Sequence, residues 1–217
     1  MLYRYMDQHR VDQFKDEGKI RLRPLIAYRE TGDSREDKRE GMFITRIGGT
    51  GKLTREESKL ILGLDNSIEF GYGGTLKYQL HLAPGYVLCL STNSDRNQMK
   101  EFGNGFFTVI DPVMFSGLLV DELLKIYPGV FSIHGAVVYH DQFKDSEITI
   151  SELKKKGERF RQSALRDYFV KFPNYQKEAE YRFVFLVEEN KPLEDLMIEL
   201  PTSEIAKCCD FPDPPLA

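Results

Sequence analysis

The sequence predicts an α+β domain built on many short strands. Three observations carry that expectation. Period-two alternation recurs in short runs: Leu76, Tyr78, Leu80 and Leu82 share one face, with Lys77, Gln79 and His81 on the other. Glycine and proline turns separate the runs, as at Gly71, Gly73 and Gly74 and at Pro84-Gly85. The 217 residues, 41% hydrophobic and 29% charged, suit one globular domain over 1–217, with no internal repeat and no low-complexity linker.

The elements follow in order. Leu2 to Met6, aromatic and apolar around Arg4, reads as a strand. Val11 to Glu17 reads as a helix closed by Gly18. Ile20 to Tyr28 reads as a strand interrupted at Pro24. The charged run Arg29 to Glu40 reads as a solvated loop, with part of a substrate rim as the alternative. Met42 to Ile47 is a strand pattern. The glycines after it suggest a phosphate loop, but Arg46 and Leu53 stand where that motif needs Gly and Ser or Thr, so a turn is expected. Thr54 to Leu62 opens on Thr-Arg-Glu-Glu and suits a capped helix.

Ile68 to Tyr72, Leu76 to Leu82 and Tyr86 to Leu90 read as strands, Ser94 to Glu101 as a helix, and Phe106 to Ile110 as a buried strand. Pro112 to Ile126 reads as a core helix that Pro128-Gly129 ends. Ile133 to Tyr139 reads as a strand, Ser151 to Lys171 as a basic helical stretch, and Tyr181 to Val187 and Leu196 to Leu200 as strands. An irregular tail is expected over 201–217, where three prolines lie close to the end.

Thirty basic against 34 acidic residues give a net charge of −4, a poor match to sequence-blind DNA binding, which needs a basic footprint. A local basic cleft stays open. Lys154, Lys155 and Lys156 with Arg159, Arg161 and Arg166 read as a solvated face, with nucleic-acid recognition as the competing reading. Three cysteines make no disulfide scaffold, and none sits in a spaced Cys/His cluster. The four histidines are scattered, so no metal is expected. No Gly-x-Ser-x-Gly elbow occurs, and Cys89, among Val87, Leu88 and Leu90, reads as a buried inert thiol. The opening residues lack the apolar core of a secretory leader, and no run of 18 apolar residues exists, so a cytoplasmic protein without membrane contact is expected.

Three polar features on strands stand out. Arg4 lies between Tyr3 and Tyr5. Ser91-Thr92-Asn93-Ser94 follows an apolar strand, where hydroxyls can also cap a helix. Lys177-Glu178-Ala179-Glu180-Tyr181-Arg182 leads into a strand, and Glu178 and Glu180 would share a face if the chain there were extended.

Together with Cys89-Leu90-Ser91 and Gly105 to Asp111, these segments resemble a bacterial family, domain-of-unknown-function family 2971. Its members read Leu-Tyr-Lys-Tyr, Cys-Phe-Ser, a glycine-containing strand and Lys-Glu-x-Glu-Trp-Arg in the same order. The resemblance spans residues 2 to 187. The chain departs from it where Tyr181 replaces Trp, where the Arg29 to Gly41 loop replaces an Asn-Asp-Pro segment, and where a Trp-x-x-Tyr segment is missing. That family is in turn similar to the ADP-ribosyltransferase superfamily. The resemblance implies a split, mixed or antiparallel β-core with flanking helices that grips NAD as substrate. Arg4, Ser91 and Glu180 would take the first-strand, second-strand and late-strand places. Glu178 would be the first acid of a Glu-x-Glu pair.

On that reading Glu180, Glu178 and Ser91 carry catalysis, while Arg4, Tyr5, Ser91, Thr92 and Tyr181 hold NAD. Leaving nicotinamide builds positive charge on the ribose, which a carboxylate offsets, as in glycoside hydrolysis. Arg4 offers a planar donor fork to the pyrophosphate or ribose. Tyr181 or an aromatic of the first strand offers a ring to stack on. The implied protein is a toxin, effector or defence enzyme, with an unknown protein or nucleic acid as acceptor and room for an antitoxin or immunity partner. The alternative is a non-catalytic module that binds a nucleotide or a protein on the same fold. In the plainest alternative, Arg182 pairs with Glu180 or Glu178 in a surface ion cluster.

Overall fold

A computed structural model describes residues 1–29, 42–72, 74–81, 84–140, 147–157, 159–160, 164–188 and 193–212. In chain order its elements begin with β1 (Leu2–Met6), α1 (Gln8–Glu17) and β2 (Lys19–Pro24). Next come β3 (Met42–Gly48), β4 (Gly51–Leu53), α2 (Arg55–Leu62), β5 (Ile68–Phe70), β6 (Thr75–His81) and β7 (Gly85–Ser91). β8 (Gly105–Val109), α3 (Pro112–Leu124), β9 (Phe131–Ala136), β10 (Val138–Tyr139), β11 (Glu147–Thr149) and α4 (Ile150–Lys156) follow. The chain closes with β12 (Val170–Lys171), β13 (Glu180–Leu186), β14 (Leu196–Glu199), α5 (Thr202–Cys208) and β15 (Cys209–Asp210). This is an α+β protein.

Where the sequence reads as one domain, the chain gathers into two compact units, the first from 1–38, 83–138 and 174–217 and the second from 39–82 and 139–173. The first unit is an antiparallel sheet of eight strands. β7 is its hub. One edge of β7 pairs along its whole length with β13, from Gly85↔Leu186 to Ser91↔Glu180. The opposite edge is shared: β2 takes Tyr86 and Val87, and β1 takes Ser91. The sheet therefore forks along β7. β1 continues through β8 to β15, and β2 continues to β14.

One face of this sheet makes the core. Leu88 and Leu90 of β7, Phe183 and Phe185 of β13, Leu22 of β2, and Phe107 and Val109 of β8 lie there with Phe115, Leu119 and Leu123 of α3. Each such side chain contributes about 1.5–3 kcal/mol on burial. Asp111 caps α3 by accepting from the amides of Val113 and Met114 at 3.1 and 3.0 Å, and Pro112 begins it with a preset φ. α1 ends at Gly18, whose φ of 71° is left-handed. A Cβ there would fall 1.9 Å from the Leu200 carbonyl oxygen, so both the turn and the close approach require glycine.

The second unit has its own core of Ile47, Leu53, Ile61, Leu62, Tyr78, Ile148, Leu153 and Phe160. β3 pairs antiparallel with β6 and parallel with β11. Thr54 and Glu57 form the capping box that opens α2.

Several sequence expectations need correction. The tail is ordered through 210: Thr202–Cys208 is helical, and β15 pairs with β8 at Cys209↔Val109. The buried Ile205, Cys208 and Cys209 explain why, because they join the core. Residues 213–217 lie outside the described residues. Ser94 to Glu101 is a set of turns ending in a short 3-10 segment, Lys100–Phe102, held by Asp95 and Asn93 side chains bonding nearby amides. The basic stretch is helical only through Lys156 and then 3-10 over Ala164–Phe169, with 158 and 161–163 outside the description. The chain after Pro24 is 3-10 over Leu25–Arg29 rather than strand. The charged loop falls at 30–41, outside the described residues, with only Arg29 inside.

Candidate functional site

The second face of the forked sheet carries the polar residues. Tyr3, Ser91 and Glu180 form one row, since Ser91 pairs with Tyr3 on one side and with Glu180 on the other. Cross-strand partners share a face, so the row places Ser91 and Glu180 side by side. Ser91 is 3% and Glu180 4% exposed. Arg4 sits one residue off the row, paired with Phe107. Its guanidinium nevertheless turns to the fork: Nη1 donates to the carbonyl of Cys89, two residues from Ser91. The three residues expected from widely separated segments thus meet on adjacent strands.

Each is already engaged. Ser91 Oγ donates to the Glu178 carbonyl at 2.6 Å and accepts from the Asn93 amide at 2.9 Å. Glu180 Oε1 accepts from Arg182 Nε at 2.6 Å, and Arg182 is 2% exposed. The pair is buried, not the surface cluster the sequence allows. Thr92 is exposed, and its hydroxyl donates to the Ala179 carbonyl at 3.1 Å. Tyr5 is buried, and its hydroxyl donates to the Asn93 carbonyl at 2.9 Å. Burial and the neighbouring Tyr3 raise the Tyr5 phenol above the usual tyrosine range.

Two expectations fail. Glu178 ends a 3-10 segment, Pro173–Glu178, and Ala179 turns left-handed with φ 44°. The chain between the two acids is therefore not extended, and Glu178 and Glu180 do not form a facing pair. Glu178 is itself 8% exposed and reaches Ser91 through its backbone carbonyl. Tyr181 lies on the other face of β13 from Glu180, 5.6 Å from the Phe183 ring and with its hydroxyl 2.6 Å from His134 Nδ1. It cannot stack on a ligand held at the Ser91–Glu180 row.

Two residues, Tyr28 and Arg23, carry no role in the sequence reading, and a third, Cys89, has a different one. Tyr28 stands close enough to Cys89, Arg4 and Glu180 for each to act on its phenol. Burial first, then Cys89, holds that phenol well above the usual range, against the pull of Arg4. Cys89 Sγ is 4.0 Å from the Tyr28 hydroxyl, on the polar face and only partly buried, so it is not the core thiol the sequence suggested. Arg23 lies over the Tyr28 ring at 5.0 Å. The signal for Arg23 was present: Lys19, Arg21 and Arg23 alternate with the core residues Ile20 and Leu22.

Among the described residues, no group of three or more His, Cys, Asp or Glu is placed to hold a metal ion, and no helix is long and apolar enough to cross a membrane. No family model matches the sequence, and no curated protein or solved structure matches it either.

Proposed function

We propose that the chain binds NAD and cleaves its nicotinamide–ribose bond as an ADP-ribosyltransferase-like enzyme, passing ADP-ribose to a protein, a nucleic acid or water. The single observation that carries this reading is the Tyr3–Ser91–Glu180 row, with the Arg4 guanidinium reaching β7 beside it. Glu180 offsets the charge that grows on the ribose as nicotinamide leaves. Arg182 acts as a positioning residue by fixing the carboxylate orientation. Ser91 steadies the turn at Glu178 and Ala179 that aims Glu180. Arg4 donates to the dinucleotide, and its Nε–H fits that role because it is buried without a hydrogen-bond partner among the described residues. Tyr3 in the row and Tyr5 stacked against it supply aromatic surface. The resemblance to family 2971, and the toxin, effector or defence role with its antitoxin partner, belong to this proposal.

A second reading, a non-catalytic nucleotide- or protein-binding module, is favoured by one observation: the Glu180 carboxylate is neutralised by Arg182 at 2.6 Å and nearly shut from solvent. Nicotinamide release from NAD separates the two. Release that disappears in Glu180→Gln supports the enzyme, and calorimetric NAD binding without release supports the module.

A further inference from the structure

Helix α3 is apolar around its whole circumference. Of its 13 residues only Ser116, Asp121 and Glu122 carry polar side chains, and Ser116 is buried. A helix of that composition is ordinarily enclosed on every side. One stripe, Phe115, Leu119 and Leu123, fills the core. A second stripe, Val113, Gly117, Val120 and Leu124, does not: Val113 is 73% and Leu124 44% exposed, Gly117 is exposed and Val120 is half-buried.

The second stripe is spaced by four, three and four residues, the seam along which two helices pack knobs into holes. It is also complementary to itself. A Cβ at Gly117 would meet no atom within 4 Å, so the stripe carries an open notch one turn from the Val120 knob. Two copies set antiparallel place Val120 of each into the notch of the other and Val113 against Leu124. A parallel pair would set Gly117 on Gly117 and leave a void.

The ends agree with the antiparallel arrangement. Asp111 is exposed at the N-terminus of α3, and Lys125 is exposed just past its C-terminus, 2.6 Å from Glu122. The same register brings Lys125 of one copy beside Asp111 of the other, and Ile110 beside Ile126, both exposed apolar side chains. Opposed helix dipoles then lie side by side.

We infer that the Val113–Gly117–Val120–Leu124 stripe is a dimer interface, covered by the same stripe of a second copy of this chain running antiparallel. A contact of one helix on one helix is small, so the dimer is reversible. The core stripe of α3 packs on the face of the sheet opposite the Ser91–Glu180 row, so dimerisation and NAD cleavage stand or fall separately.

Sedimentation equilibrium of the full chain from about 1 to 100 μM tests it, the range that a small interface predicts. The mass is expected to rise from one chain towards two. Val113→Glu should weaken association about tenfold or more, because it places an unpaired charge in the seam. Gly117→Arg should do the same by filling the notch. Both positions are open to solvent, and circular dichroism checks that both variants fold. Met197→Glu, at an exposed apolar residue of β14, should leave association unchanged. Orientation is read by mixing Val113→Cys with Leu124→Cys under mild oxidation. A disulfide between the two variants is expected, and none within either alone, since like positions lie about 16 Å apart at 1.5 Å per residue. A chain that stays monomeric at 100 μM, association unchanged by Val113→Glu, equal weakening by Met197→Glu, or disulfides between like variants would each overturn the inference.

Discussion

Arg182 Nε lies 2.6 Å from Glu180 Oε1, and the two side chains are 2% and 4% exposed. They stand two residues apart on one face of β13, so the pleat itself brings them together. Withdrawing both charges from water is compensated only while they remain paired in good geometry.

Arg182→Met should therefore destabilise the protein by about 3–5 kcal/mol, because it strips a buried carboxylate of this partner. The double variant Glu180→Gln with Arg182→Met should recover much of that loss, since neither charge is then buried. Urea unfolding read by circular dichroism checks both. A single variant as stable as the parent would mean that the pair is not structural.

Ser91→Ala removes a donor to the Glu178 carbonyl, in a buried bond, and an acceptor for the Asn93 amide, in a part-buried one. A loss of about 1–3 kcal/mol is expected. Ala179→Gly should instead be neutral or stabilising by up to about 1 kcal/mol, since glycine adopts a φ of 44° without a Cβ clash. A stabilising Ser91 variant, or a strongly destabilising Ala179→Gly, would contradict this account of the turn.

Asp167 gives a pH signature. Burial pushes its carboxyl up from the usual 3.8 to about 7. Between those values the folded chain holds more protons than the unfolded one, so stability falls as pH rises through that window and levels off above it. Asp167→Asn should flatten this slope. Urea midpoints for parent and variant, followed across the same window, decide it. Parallel curves for the two proteins would reject the role of Asp167.

Much of the fold was legible because its signals are local. The Thr54 and Glu57 cap, the Gly18 stop, and the alternation of β6 each lie within a few residues. The meeting of Arg4, Ser91 and Glu180 came only through resemblance, because strand pairing between positions nearly 90 residues apart leaves no local pattern. Glu178 was misjudged because one left-handed residue, Ala179, breaks the extended spacing on which the pairing rested. Arg21 and Arg23 were passed over because only the apolar half of their alternation was used. The order of 202–210 was hidden because the three prolines that mark an irregular end, Pro212, Pro214 and Pro215, all lie beyond it.

The central claim is NAD cleavage at Glu180, and chromatographic measurement of free nicotinamide after incubation with NAD tests it most directly. The account predicts steady release by the parent chain and a loss of about 100-fold or more in Glu180→Gln, with the variant still folded by circular dichroism. No release by the parent above a protein-free blank, or equal release by the variant, would contradict it.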